Sequence, residues 1–241
     1  MPNTGRLSFN CPEMVKAPTE PQQERATVHV ARAFACSATV AAEVVRRGHL
    51  RRFAPRAVIL RQGDWSTIAY LLVAGRAQAL LYGAEGQLIL LHDFRPGDLF
   101  GAVGEADPVR QEADVVAVED VETFVLQAGD LAYLAGQHGA IGLALSRMLM
   151  ARLRQTTARM YERAALSAVA RVYAELLREA TRSPDLRISP APVLSELAIK
   201  VSTTRETASR AVNALERRGI IHRDQNSLTV VAPRALEELI V

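Results

Sequence analysis

Hydrophobic and polar positions divide the chain into three differently patterned stretches. In residues 53–126, short apolar runs such as "IAYLLVAG" and "QLILLHDF" end at glycine or proline turns, a spacing typical of antiparallel strands. Residues 137–166 contain no proline, and their apolar positions recur at helical spacing. Near the C-terminus, two short helical patterns precede the alternating run "LTVVAP", which is the order of a helix-turn-helix followed by a β-hairpin.

The predicted fold class is α+β, with an N-terminal antiparallel β-roll (jelly-roll-like), a long dimerisation helix and a C-terminal winged helix-turn-helix. The predicted division is a flexible tail (1–25), a β-roll sensor domain (26–136), the long helix (137–166) and a DNA-binding domain (167–241). The tail is predicted from its prolines and polar composition, and residues 26–52 are expected to form one or two short helices. A small roll of this kind can enclose one small ligand.

The long helix has two interpretations. Its stripe is compatible with an ordinary core-facing helix or with the seam of a coiled-coil-like homodimer. The second is favoured because little sheet follows on which a long helix could pack. The stripe consists of Ile141, Leu145, Met148 or Leu149, Leu153, Thr156 and Met160.

Composition excludes several classes of protein. The 241 residues are 49% hydrophobic with a net charge of +3, and no apolar run reaches the roughly 18 residues that span a bilayer. The first 25 residues lack the apolar core of a secretory signal, so a cytoplasmic protein without a membrane partner is expected. Cys11 and Cys36 suit neither a disulfide framework nor a cluster, and the five histidines are scattered, so no metal site is predicted. The absence of a phosphate loop, HExxH or nucleophile elbow predicts that the chain is not an enzyme.

Charge is unevenly distributed. Acidic residues dominate residues 84–130, whereas basic residues dominate 147–163 and 200–223. A basic C-terminal half is the electrostatic pattern expected of a nucleic-acid-binding domain.

The segment "STTRETASRAVNALERRGII", residues 202–221, has the pattern of a recognition helix. Arg205, Glu206, Ser209 and Arg210 lie opposite an apolar side, and Gly219 is placed to end the helix. The spacing of Glu206 and Arg210 by itself predicts only a surface ion pair.

Three features favour DNA reading over a solvated face. The polar residues cluster in the N-terminal turns, where a recognition helix meets base edges. Arginine can pair with guanine and glutamate with cytosine in the major groove. The hydroxyls of Ser202, Thr203 and Thr204 are suited to capping the helix or holding phosphate.

This segment resembles the helix-turn-helix of the Crp/Fnr family of bacterial transcription regulators. The resemblance extends through "APRAVILRQGD", "FRPGDLFG" and the long helix, in family order. It implies a homodimer that binds double-stranded DNA, with Arg205, Glu206 and Arg210 reading bases and Ser209 contributing as in Fnr-like members. It further implies TGA-like half-sites in an inverted repeat, and RNA polymerase as an expected partner.

The effector is less well indicated. Cyclic-AMP-binding relatives carry a glutamate and an arginine–serine pair in the roll, and this chain has Ala102 and Ala113–Asp114 at those places. The rim around them is acidic, with Glu105, Asp107, Glu112 and Asp114, and Arg110 is the nearby cation. Because unpaired carboxylates oppose a buried phosphate, control by cyclic AMP is not expected.

Other effectors remain open. Thr156 and Thr157 fall where relatives contact a purine, although an ordinary role on the helix surface or in the seam is the favoured interpretation. With Arg110 they are the candidate cofactor residues for a nucleotide, cyclic AMP or cyclic di-GMP. Haem is a further family option, for which Pro2 and His92 are loosely placed. A ligand-free regulator is the leading interpretation, and a nucleotide-binding module that acts on a partner protein is the rival.

Overall fold

The computed structural model describes residues 20–82, 88–104 and 107–240. The helices are α1 Glu20–Phe34, α2 Ala38–Val45, α3 Ala128–Gln137, α4 Gly139–Ala165, α5 Ala168–Ala180, α6 Leu194–Lys200, α7 Arg205–Arg217 and α8 Pro233–Glu237. The strands are β1 Gly48–Phe53, β2 Val58–Leu60, β3 Trp65–Ser66, β4 Ile68–Ala74, β5 Ala77–Tyr82, β6 Leu88–Phe94, β7 Leu99–Gly101, β8 Val109–Arg110, β9 Asp114–Ala117, β10 Val121–Gln127, β11 Arg187–Ile188, β12 Ile221–Arg223 and β13 Leu228–Val230.

The strands from β1 to β10 form the predicted antiparallel roll. Two four-stranded sheets, β1-β10-β4-β7 and β2-β9-β5-β6, are accompanied by the β3-β8 pair. Aromatic side chains fill the space between the sheets, where Tyr70 stacks on Phe100 with ring centroids 5.1 Å apart. Gly75 turns β4 into β5 at a φ of +82°, and a Cβ there would lie 2.2 Å from the carbonyl oxygen of Asp120. The α+β fold class is confirmed.

The N-terminal segment differs from the prediction. Helix α1 begins at Glu20, inside the stretch predicted as tail, and β1 begins at Gly48, inside the stretch predicted as helical. Helix α1 is ordered by packing, since Val30 and Phe34 are buried in one cluster with Ile141 of α4. Residues 1–19, including Cys11, and the predicted hairpin loop at 84–86 lie outside the described residues.

Helix α4 is 27 residues long and has two environments. Ile141 and Ala144 are buried against the roll and α1, and Leu145 packs at the edge of the same cluster. Further along, Leu153 is 58% exposed and Met160 is 68% exposed. Assigning Ile141 to the dimer seam was therefore wrong, because the first turns of α4 serve the core of the chain itself.

The C-terminal third has the helix order predicted for a winged helix-turn-helix. Helices α5, α6 and α7 share a core that includes Leu176, Leu197 and Leu215. The three-stranded sheet β11-β13-β12 follows α7 and forms the wing. Among the described residues, no single helix is long and apolar enough to cross a membrane. Residues Gln23–Phe34 of α1 and Ala38–Val45 of α2 meet the length and hydropathy required only as a pair, and that pair is bent by 116°.

Candidate functional site

Helix α7 is held rigidly at its start and along its inner face. The hydroxyl of Thr204 caps it by accepting a hydrogen bond from the backbone N–H of Thr207 at 3.2 Å. The buried residues Ala208, Ala211, Val212 and Leu215 recur at helical spacing. Burial of this one side leaves the opposite side of the first two turns facing outward.

The outward side carries the predicted recognition residues. Arg205, Glu206 and Arg210 are exposed, and Ser209 is half-buried. Hydrogen bonds from the Glu206 backbone N–H and from the Thr204 hydroxyl, with Arg205 and Arg210 nearby, lower the pKa of the Glu206 carboxyl. It is therefore an anion at neutral pH.

The predicted ion pair between Glu206 and Arg210 does not form. Within the described part of the chain, no ion pair of 4.0 Å or less involves either residue. Both side chains are exposed, and their four-residue spacing alone does not bring the charged groups together.

The turn before α7 places the hydroxyl-bearing residues Ser202, Thr203 and Thr204 in three different environments. Thr204 is used as the cap, Ser202 is exposed at a left-handed φ of +51°, and Thr203 is half-buried. Arg171 of α5 supports this turn by donating to the carbonyl oxygens of Val201 at 2.9 Å and Ser202 at 3.2 Å. Arg171 was missed in the sequence, where it is an unremarked arginine on a helix about 30 residues earlier in the chain.

The far end of α7 is tied to the wing. Arg223 of β12 donates to the side-chain oxygen of Asn213 at 2.8 Å and also pairs with Glu216. Arg217 and Arg218 are exposed at this end, away from the first two turns. The predicted recognition residues therefore lie on a helix that is anchored at both ends.

A cavity of about 570 Å³ lies between the roll and α4. Its walls are mainly aliphatic and aromatic, and its polar lining residues are His92, Asp98, Arg110, Gln111, Glu112, Arg152 and Gln155. Of the three predicted cofactor residues, Arg110 lines the cavity. Thr156 and Thr157 are exposed on α4 and are not among its lining residues.

Arg152 also lines the cavity, although no pattern in the sequence predicted it. Its guanidinium lies 5.1 Å from the centre of the Phe94 ring. Burial lowers its pKa, although Asp98 and Glu112 act in the opposite direction. Nothing in the helical pattern distinguished Arg152 from the other arginines of α4, because only the packing of α4 on the roll turns this one inward.

The other titratable groups of the cavity respond to the same burial. Burial, together with Arg152 and Arg159, lowers the pKa of His92 to about 4, so its imidazole is neutral at physiological pH. Burial likewise raises the pKa of the Asp98 carboxyl. Pro2, the other residue considered for haem, lies outside the described residues.

The positions that resemble the cyclic-phosphate segment do not supply a cation. Ala102 is fully buried, and Ala113 is 8% exposed. The Asp114 carboxylate accepts a hydrogen bond from the backbone N–H of Gln62 at 2.7 Å, while Glu112 lines the cavity. Because a buried phosphate requires cations and amide donors, these positions fit a cyclic nucleotide poorly. Glu105 lies outside the described residues.

Comparisons with known proteins match both parts of the chain. The cyclic nucleotide-binding domain family matches residues 50–138, and the Crp-like helix-turn-helix domain family matches residues 170–239. The cyclic AMP receptor protein of Thermus thermophilus is 30% identical over 185 residues, which are 75% of this chain and 83% of that protein.

Solved structures share the fold at lower identity. A CooA mutant from Carboxydothermus hydrogenoformans has a TM-score of 0.75 at 18% identity and covers 89% of this chain and 95% of its own. FixK2 from Bradyrhizobium japonicum has a TM-score of 0.70 at 20% identity and covers 80% of this chain and 98% of its own.

A β-roll, a long helix and a capped recognition helix with a wing define a DNA-binding transcription regulator. The chain belongs to the Crp/Fnr family of these regulators.

Proposed function

We propose that the chain acts as a homodimer that reads an inverted repeat with TGA-like half-sites. The observation that carries this proposal is the exposed first half of α7, where Arg205, Glu206, Ser209 and Arg210 project from a helix fixed by Thr204 and by its buried face. Exposed arginines and an ionised glutamate are the groups that can pair with guanine and cytosine edges. Ser202, Thr203 and Thr204 are proposed to contact the flanking phosphates.

The proposed dimer interface is the exposed part of α4. Leu149, Leu153 and Met160 lie on one side of the helix and are each more than half exposed, and an apolar stripe of this kind is costly to leave in water. A second copy packed along the same side would bury them and bring two recognition helices to one face of the DNA. Binding to two half-sites requires centres about one helical turn, roughly 34 Å, apart.

Selection of operators from random duplex DNA tests this proposal. The full-length protein is expected to enrich an inverted repeat, and binding should fall steeply with salt because Lys and Arg displace counterions from phosphates. Enrichment of no motif, or salt-insensitive binding, would instead support the rival function, a regulatory module that acts on a partner protein.

We further propose that cyclic AMP does not control this regulator. The support is the absence of a cation at Ala102, Ala113 and Asp114, together with the presence of Glu112 in the cavity. Isothermal titration with cyclic AMP is expected to give no saturable heat under conditions in which the Thermus thermophilus receptor protein responds. Saturable binding would contradict the proposal, and its loss in Arg152→Gln would show that Arg152 replaces the missing cation.

A ligand of another kind is a second candidate for control, because the cavity is large and contains the half-buried Arg152 beside Phe94. The His92 imidazole is neutral and faces the same space, so haem or another nucleotide is testable by the absorption spectrum and released small molecules of protein purified from its native host.

RNA polymerase as a partner and a cytoplasmic location, where the DNA is, complete the proposal. No enzymatic activity is assigned.

A further inference from the structure

The DNA-binding domain meets the roll across a polar boundary. The apolar core of α5–α8 contains only residues from 172 onward, among those the structure describes, and is separate from the two apolar clusters of the roll and α1–α4. Charged side chains occupy the boundary instead. We call this group the interdomain ion cluster: Arg76, Asp93 and Arg95 from the roll, with Glu175, Glu179, Glu196 and Lys200 from α5 and α6.

Asp93 of β6 is the centre of the roll side. Its side chain is only 8% exposed, and its carboxylate lies 2.9 Å from Nε of Arg76 and 3.5 Å from Nη2 of Arg95. Nζ of Lys200 approaches the same carboxylate at 3.9 Å from the DNA-binding domain.

Lys200 is the centre of the other side. Its side chain is 12% exposed and its Nζ lies 3.1 Å from Glu179 and 3.8 Å from Glu175. Two further pairs cross the boundary, Arg95 with Glu179 at 3.7 Å and Arg76 with Glu196 at 3.6 Å. Both centres are therefore largely shielded from water, and they approach one another across the boundary.

The physical character of this boundary suits reversible docking. Charges that lose water on docking recover little net free energy from pairing, whereas a shared apolar core would make separation costly. Oppositely charged groups in fixed positions nevertheless determine which orientation is favoured, since any other placement leaves a buried charge without its partner. The boundary therefore specifies an orientation without fastening it permanently.

We propose that the interdomain ion cluster is a releasable latch, which fixes the orientation of α7 relative to the roll and α4. The recognition residues remain exposed while the latch is closed, so the latch acts on the direction in which α7 points rather than by covering it. In a dimer this direction sets the distance between the two recognition helices, and with it the half-site spacing that the protein accepts.

Strand β6 connects the latch to the cavity. His92 lines the cavity, and the next residue, Asp93, is the roll centre of the latch. Side chains of successive strand residues point to opposite faces. A group that enters the cavity and displaces His92 therefore moves Asp93 as well, so the latch lies where it can respond to occupancy.

Distance measurements between spin labels test the latch without any DNA. Labels are placed at Glu119→Cys in the roll and Gln225→Cys in the wing, both exposed, in protein whose Cys11 and Cys36 are replaced by serine. Labelled protein is mixed with an excess of unlabelled protein, so that most dimers carry one labelled protomer. The parent protein is expected to give one narrow distance distribution.

The latch variants are Lys200→Met, which removes the buried centre, and Arg95→Ala with Glu196→Ala, which removes two crossing partners whose own side chains are exposed. Both are expected to broaden the distribution or shift it to longer distances, and to lose discrimination among operators whose half-site spacing differs by one base pair. Arg182→Ala is the matched control, because Arg182 pairs with Glu179 at 3.0 Å entirely within the DNA-binding domain; it is expected to leave the distances unchanged.

An unchanged narrow distribution in the doubly substituted variant would overturn the latch, even if Lys200→Met failed to fold. So would an equal broadening in the control. Because the distances are measured on free protein, the latch and the proposed DNA-binding function can fail separately: a failed operator selection leaves the distance result standing, and the reverse also holds.

Discussion

Leu153→Glu is expected to convert the protein to a monomer and to lower operator affinity by about a hundredfold or more, since two linked half-site contacts gain roughly 10²–10⁴ over one. Leu153 is 58% exposed on α4 and does not line the cavity, so the substitution is tolerated in the isolated chain. In the proposed dimer the substituted position recurs on both helices, and two carboxylates would be desolvated close together. Sedimentation and gel-shift titration measure the two effects.

Ala158→Glu is the matched control for this experiment. Ala158 is exposed on the same helix, well away from the Leu153 side, and the substitution adds the same charge. It is expected to leave both the oligomeric state and the affinity nearly unchanged. A Leu153→Glu protein that remains dimeric would place the interface elsewhere, whatever its affinity for DNA.

Arg210→Ala is expected to cost about 1–3 kcal/mol of specific binding, roughly 5- to 150-fold, and to relax preference at one base pair. The arginine is exposed and has no ion pair among the described residues, so its loss removes a base contact without leaving a buried charge behind. Competition binding across operator variants, substituted one base pair at a time, measures the change in preference.

Arg217→Ala provides the comparison, since Arg217 is exposed near the end of the same helix. It is expected to weaken binding to all variants alike and to reduce the salt dependence, as loss of a phosphate contact does. If Arg210→Ala behaved in the same uniform way, Arg210 would be a phosphate contact and the proposed reading of bases would be incorrect for that residue.

Local patterns account for the features of helix α7 that were predicted correctly. The inner face of α7 repeats at helical spacing, Thr204 is a residue type that caps helices, and Gly219 adopts a left-handed φ of +67°. The helical repeat, the cap and the glycine turn each depend on residues only a few positions apart. The local sequence is therefore enough to predict that one outward side of α7 carries Arg205, Glu206, Ser209 and Arg210. The glycine-punctuated runs predicted the roll for the same reason.

Contacts between distant segments account for the misses. The ion pair expected between Glu206 and Arg210 is an exception, since the two residues are only four apart and yet their charged groups are not within 4.0 Å. Ile141 was assigned to the seam because its burial by α1 cannot be seen within α4. Arg152 resembles every other arginine of α4 until the roll is packed against it.

The sequence by itself determined the α+β class, the order of roll, long helix and winged helix-turn-helix, and the side of α7 that carries the polar residues, because periodicity and capping act over a few residues along the chain. Only the tertiary structure decided which arginine enters the cavity, which part of α4 remains exposed, and that Asp93 meets Lys200 across the domain boundary. Those outcomes depend on burial and charge pairing between segments up to about a hundred residues apart. The segment "STTRETASRAVNALERRGII" therefore does not indicate that Asp93 of the roll pairs with Lys200 just before it.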